Sequence, residues 1–366
     1  MGTCNSNTEN RKINKKRKHI ESDKINKCRF IMNNNYIESE KIGFTNIGNS
    51  CYMNSILQIL LHIPNFVENL KNDYKKSKNE SELIQCIINL SDYPNDNKNL
   101  YSIQKYMSII SNNYEQFHQG DSQNFGIDLI NEIINNIKGE ESISSQYNKN
   151  INKNNNNIVN YKKNKYDEFI QKYQNKNQQI SLEKMFIVNE SENYFYQNEN
   201  YNIKFNCTLH IELSFQENGE CEKSDKYSLK DLLYIKYITK KKEIEKKKDY
   251  YSEIDKSYKI CKLPKILIIT ISRAEVGEKL KTKKLIIPKE INLSEYIDKD
   301  LINKRNFKYK LFAINEKKGN SKSNGHYYCF IKIDDNWYLF DDEYVTKKTP
   351  NFTSKNAVGL FYKEFN

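Results

Sequence analysis

Cys51 stands in "NIGNSCYMNS", residues 46–55, between small polar residues and the start of an apolar pattern of helical period. A cysteine attacks a carbonyl as a thiolate. It therefore needs a lowered thiol pKa, a base close by and donors for the oxyanion that forms. Position alone offers the first, because a helix N-terminus favours an anion through its dipole and free N–H groups. The candidate bases are the 5 histidines, at 19, 62, 118, 210 and 326. His19 lies in basic text, His62 at a helix end and His210 in an alternating strand, while His118 is close to Asp121. His326 follows Gly325 at the start of a strand-like run, and the pair Asp341 and Asp342 closes the next such run. Two antiparallel strands joined through Asp334, Asp335 and Asn336 would set Asp341 beside the imidazole and fix its tautomer. The residues by themselves leave two readings: a Cys, His and Asp catalytic set, or a core cysteine with two loop residues.

These groups need a scaffold. Met53, Ile56, Leu57, Leu60 and Leu61 recur at one face of a helix that stops before Pro64, which puts Cys51 in its first turn. A second helix is expected from about Ser122 to Lys138, with Phe125, Leu129, Ile130, Ile133, Ile134 and Ile137 on one face, Asp121 as N-cap and Gly139 at the end. Shorter helical patterns cover 82–90 and 101–111. Residues 140–180, rich in Asn, Lys, Gln and Ser, read as a low-complexity insertion. Beyond them the period becomes two: Ile203, Phe205, Cys207, Leu209, Ile211, Leu213 and Phe215 alternate as one half-buried strand. The basic run 240–249 reads as a solvated loop. The runs 265–273, 283–288, 307–315, 326–333, 337–341 and 357–363 read as strands. Helices first and antiparallel strands later indicate an α+β fold with the site where the two halves meet.

Lys+Arg 59 against Asp+Glu 47 gives a net charge of +12, but the lysines are dispersed among acids and no nucleic-acid-binding signature accompanies them. No specific nucleic-acid partner is expected. The 8 cysteines are scattered without a Cys-x-x-Cys pair, which favours a reducing, intracellular compartment. No run is long and apolar enough for a membrane helix.

"GFTNIGNSCYMNSILQIL" resembles the cysteine box of the ubiquitin-specific proteases. The text from Tyr309 to Val345, with "AVGLFYK", resembles their histidine box. "QGDSQNF" at 119–125 and "LPKILIITISR" are similar to the segments between, so the likeness spans about 41–363 in the family's order. It implies a papain-like fold with helical thumb, β palm and β fingers, occupying 41–366, and hydrolysis after the C-terminal glycine of ubiquitin, with ubiquitin and ubiquitinated proteins as partners. Carried over by position, Cys51 is the nucleophile, His326 the general base and then acid, Asp341 the orienting carboxylate and Asn46 the oxyanion donor. Asp342 is the alternative orienter. Asp121, with Gln119, Gly325 and Tyr327, is expected at the substrate tail. A same-fold protease for a ubiquitin-like modifier such as SUMO or NEDD8, and a silent ubiquitin-binding scaffold, are the alternatives.

The sequence departs from the family at several positions. Cys207, Cys221 and Cys261 are isolated where many members have two zinc-binding Cys pairs, so neither a structural metal nor any cofactor is expected. Gly120, Asn124, Lys317 and Val358 each replace a more usual residue. Residues 1–40 read as a disordered basic arm. "MGTCNS" fits the pattern for acylation at Gly2, with Cys4 as a second acceptor, and "RKINKKRKH" at 11–19 would favour an anionic membrane surface. Cytoplasmic tethering is thus one expectation, and a nuclear localisation signal in "KKRK" or a plain solvated tail are the others.

Overall fold

The structure, a computed structural model, describes residues 41–139, 158–176, 180–196, 199–217, 220–221, 225–246, 251–273, 283–302, 306–319 and 325–365. The expected N-terminal arm, with Gly2 and Cys4, lies outside the described residues, as do 140–157 of the expected insertion.

Five helices open the described chain: α1 (Cys51–Leu61), α2 (Phe66–Lys76), α3 (Glu82–Asp92), α4 (Asn97–Ile110) and α5 (Ser122–Lys138). Every residue of α1 from Cys51 to Leu60 is buried. A helix without a solvated face belongs inside a protein, and α1 runs between α5 and strand His326–Ile333. Gly126 lets α1 and α5 close on one another, since a Cβ there would lie 3.3 Å from Ile56. Asp121 caps α5 by accepting from the backbone N–H groups of Gln123 (3.0 Å) and Asn124 (3.1 Å), and Gly139 ends it at φ 70°. Helix α2 carries only Phe66, Leu70 and Asp73 as buried residues, a stripe too thin to stand out in the sequence.

Eleven longer strands follow: β1 (Val188–Tyr196), β2 (Glu199–Thr208), β3 (Ile211–Ser214), β4 (Lys241–Lys246), β5 (Tyr251–Lys262), β6 (Ile266–Ser272), β7 (Lys308–Lys318), β8 (His326–Ile333), β9 (Asn336–Asp341), β10 (Tyr344–Lys347) and β11 (Ala357–Glu364). The main sheet has the order β10-β9-β8-β7-β11-β6-β3, antiparallel except for the β3–β6 pair. Its inner strand β6 is covered on both faces. Ile266 and Ile268 face the core shared with α1 and α5, whereas Leu267, Ile269 and Ile271 face Leu229, Leu232 and Leu233 of helix α8 (Leu229–Tyr237). Burial on both sides explains why "ILIITIS" is a continuous apolar run and not an alternation. A second sheet, β2-β1-β5-β4, carries buried charge: Glu190 binds Lys236 at 3.0 Å and the Tyr237 hydroxyl, and Glu192 pairs with Lys256. Among the described residues no helix is long and apolar enough to cross a membrane.

Three expectations are corrected. The alternation from Ile203 to Phe215 is two strands in different sheets, broken at Leu209 and His210, where the Thr208 hydroxyl accepts from His210 N–H (3.3 Å) and donates to its carbonyl (3.0 Å). Alternation records which side is buried and is blind to a change of sheet. The basic run expected as a loop contains β4, antiparallel to β5, with Lys242 paired to Glu253 at 2.9 Å. The later part of the expected insertion is helix α6 (Ile158–Lys176), held by Tyr166 and Phe169 against Phe205 at ring-centroid distances of 5.2 and 5.8 Å. A few aromatic residues at helical spacing outweigh its polar composition. Short helix α7 (Ser181–Phe186) then leads into β1.

Arg273, directly after β6, is 4% exposed. It donates to the carbonyls of Ala357 (2.6 Å), Lys283 (2.7 Å) and Ser354 (3.3 Å), with the guanidinium 5.0 Å from the Phe215 ring centroid. Arg273→Met leaves these acceptors short of a donor, each costing about 1–3 kcal/mol. The expected loss of stability is about 3 kcal/mol, read as a lower denaturant midpoint at unchanged m-value.

Candidate active site

Cys51 is the first residue of α1, and its Sγ accepts from the backbone N–H of Tyr327 at 3.5 Å. His326, which opens β8, stands beside the Cys51 thiol and hydrogen-bonds Asp341 Oδ1 at the end of β9 through Nε2. One ring nitrogen thus serves the carboxylate, leaving Nδ1 for the sulfur. The Cys51 sulfur first, then the Asp341 carboxylate, pushes the imidazole up to about 9 against the opposing effect of burial. The β8–β9 hairpin makes this contact: Cys329 pairs with Phe340 and Ile333 with Asn336, which carries Asp341 to the end of the sheet where His326 stands.

The neighbouring carboxylate does something else. Asp342, at φ 50°, accepts from Asn46 Nδ2 on one oxygen and from Asn54 Nδ2 on the other, both at 2.8 Å. Burial raises its pKa and the two amides oppose that rise. Asn46 is held at both ends of its amide, because its Oδ1 accepts from the N–H groups of Gly48 and Ser50, each at 3.1 Å. The loop between them turns through Gly48 (φ 117°) and Asn49 (φ 52°). A Cβ at Gly48 would meet the Phe117 ring at 2.8 Å, so the turn needs glycine for both conformation and space. Among the described residues the grouped metal-type donors are His326, Asp341 and Asp342, within 4.8 Å of one another, and hydrogen bonds already engage all three.

The other expected residues gather close by. Tyr327 donates its hydroxyl to Asp121 Oδ2 at 3.1 Å, while Asp121 Oδ1 caps α5. Gln119 clamps Gly325, accepting its N–H at 3.1 Å and donating to its carbonyl. The remaining described histidines stand apart from the Cys51 thiol's hydrogen bonds: His62 Nδ1 donates to Gln58 O at 2.7 Å, His118 is exposed at Asn112 O, and His210 is pushed down by burial.

The arrangement has a sulfur beside an imidazole, a carboxylate behind the imidazole and an immobilised amide at a helix N-terminus. That is equipment for acyl transfer through a thioester. The model of the ubiquitin carboxyl-terminal hydrolase family matches residues 42–362. The chain belongs to that family. It is a cysteine deubiquitinase of the ubiquitin-specific protease type. Ubiquitin carboxyl-terminal hydrolase 4 of Arabidopsis thaliana is 26% identical over 87% of this chain and 87% of its own length. A segment covering 31% of this hydrolase is 31% identical to ubiquitin carboxyl-terminal hydrolase 16 of the same plant, over 11% of that protein. Among solved structures, a yeast SAGA DUB module chain is similar at TM-score 0.66 and 18% identity, covering 92% of this chain and 73% of that one. The Ubp8/Sgf11/Sus1/Sgf73 module bound to ubiquitin aldehyde is similar at 0.64 and 21%, covering 89% and 70%. These two likenesses concern the fold, which is the α+β fold of the ubiquitin-specific proteases.

Asn54 went unnoticed in the sequence of this deubiquitinase. It is a polar residue one turn after Cys51, but Ser55 and Gln58 share the stretch, so residue type alone does not single it out. Gln116 was also missed. It braces the Asn46 loop by donating to Ile47 O at 3.2 Å.

Proposed function

We propose that this deubiquitinase cleaves the peptide or isopeptide bond after the C-terminal glycine of ubiquitin with Cys51 as nucleophile, His326 as base and acid, Asp341 as orienter and Asn46 as oxyanion donor. The observation that supports the reading is the placing of His326 beside the Cys51 thiol with Asp341 hydrogen-bonded to its ring. Cys51 gives its proton to His326, and the thiolate attacks the glycine carbonyl. The oxyanion is received by the Asn46 amide and by the Cys51 N–H, which has no intrahelical acceptor in the first turn. His326 passes its proton to the leaving amine, and the thioester remains. Water, deprotonated by the same imidazole, then attacks the thioester. Collapse expels the Cys51 thiolate and frees the ubiquitin carboxyl group, which loses its proton to solvent, and the thiolate–imidazolium pair is restored. Asp341 holds the ring so that one nitrogen faces the sulfur throughout.

Asp121, Tyr327, Gln119 and Gly325 form the adjoining wall, where an extended glycine-ended tail can lie. Asp121 supplies the negative charge that a basic tail would meet.

The test is covalent capture. Incubation with ubiquitin bearing a C-terminal electrophile should give a one-to-one adduct whose modified peptide contains Cys51, and Cys51→Ser should give none. An adduct that survives Cys51→Ser would overturn the assignment of the nucleophile. Preferential capture by a SUMO or NEDD8 probe would overturn the choice of modifier.

A further inference from the structure

Lys317 is 5% exposed, the residue before the last of strand β7, ahead of the histidine hairpin. It pairs across the sheet with Tyr327. Its stem lies along Gly325, where a Cβ would meet Lys317 Cε at 2.7 Å, and its Nζ sits 5.0 Å from the centroid of the Tyr327 ring. Tyr327 is the hub of this corner, donating its backbone N–H to Cys51 Sγ at 3.5 Å and its hydroxyl to Asp121 Oδ2 at 3.1 Å. The lysine ammonium is thus packed over the residue that touches both the sulfur and the carboxylate. Burial works against its charge, and Asp121 and Cys51 are the groups that favour it.

A buried ammonium is stable only beside compensating negative charge. Asp121 provides one such charge, but its oxygens are also committed to the α5 cap and to Tyr327. The Cys51 thiolate is a second group whose negative charge favours the ammonium. The ionisable groups facing Cys51 are His326 and Tyr327 from β8, Lys317 from β7 and Tyr52 from α1, with Asp341 behind His326 and Asp121 beyond Tyr327. Two of these, His326 and Lys317, are cations on different strands.

We propose that Lys317 is a positioning cation of the active site, a second positive charge that together with His326 holds Cys51 as a thiolate before substrate arrives. The proposal rests on Cys51 being the nucleophile. Once the thioester forms, the sulfur's charge is gone. The lysine therefore favours the resting thiolate over the acylated state.

Full-length protein is treated with iodoacetamide, an uncharged reagent, between pH 5 and pH 10, and the alkylation rate of the Cys51 peptide is followed by mass spectrometry. Lys317→Met should move the midpoint of the rate profile upward by about one pH unit, a roughly tenfold slower reaction near pH 6. Lys317→Arg, which keeps the charge, should restore the wild-type midpoint. An unchanged midpoint in Lys317→Met would overturn the proposal and reduce the side chain to a filler over Gly325. So would a midpoint in Lys317→Arg as high as that of Lys317→Met. Lys317→Gln read in the same way serves should the methionine variant not fold. Wild-type protein whose Cys51 reacts no faster at pH 6 than an ordinary thiol would overturn the nucleophile assignment itself, an outcome visible before any Lys317 variant is made.

Discussion

His326→Ala is expected to lower kcat on a ubiquitin C-terminal amide substrate by about 10²- to 10⁴-fold, the range for loss of a positioned proton-transfer group. The expectation follows from the two contacts of the ring: with the imidazole gone, Cys51 loses its proton acceptor and the leaving amine loses its donor. The wild-type profile of activity against pH should have two limbs. On the acid side the thiolate is protonated. On the alkaline side the imidazolium, pushed up to about 9 by Cys51 and Asp341, gives up its proton and can no longer supply the leaving amine. The sign is that of a raised pKa: the charged ring is present below the shifted value and lost as pH climbs through it. Asp341→Asn removes one of the two contacts that raise the value and should bring the alkaline limb down in pH. A limb that stays in place in Asp341→Asn would show that this carboxylate does not set the imidazole.

Asn46→Ala is expected to cost about 10²- to 10³-fold in kcat with little change in KM, because an oxyanion donor acts on charge that exists only in the transition state. Asp342→Ala should reproduce much of that loss without touching the substrate, since its carboxylate aims the Asn46 amide from one side while the Gly48 and Ser50 N–H groups hold it from the other. Residues acting through one group are not additive, so the double variant should resemble Asn46→Ala alone. Multiplied losses in the double variant would mean that Asp342 acts on the reaction by a separate route. Asn54→Ala, which removes a second anchor of Asp342, should fall in the same direction by a smaller amount.

Much of the architecture was legible locally. Helix α5 declared itself because burial on one side of a helix leaves a period that the chain itself carries, and α1, though buried all round, keeps Met53, Ile56, Leu57, Leu60 and Leu61 on one face. The strands β6 to β9 and β11 did so because apolar runs of that length, bounded by turn residues, have few other places to go. Where local pattern misled, one kind of signal was read as another. The alternation through Leu209 spans a change of sheet, the lysines of β4 are a sheet edge facing acids, and α6 is held by two aromatic residues in polar text.

The division is clearest at the site. The sequence by itself determined the reacting types and their order: a cysteine at the first turn of a buried helix, an asparagine five residues before it, and a histidine and two aspartates on a hairpin near the other end. It put Asp341 ahead of Asp342 as the partner of His326 but gave Asp342 no partner of its own, because the two are adjacent in the chain and alike in type. Tertiary structure separates them: one carboxylate closes the hairpin onto His326, and the other, at φ 50°, turns across 296 positions of sequence to Asn46. The same holds for Lys317, whose type suggests a solvated surface and whose place on β7 puts its charge inside the site. Residue type and spacing decide what chemistry is available. Which groups meet is decided by sheet register and helix packing, the cooperative burial of the whole domain.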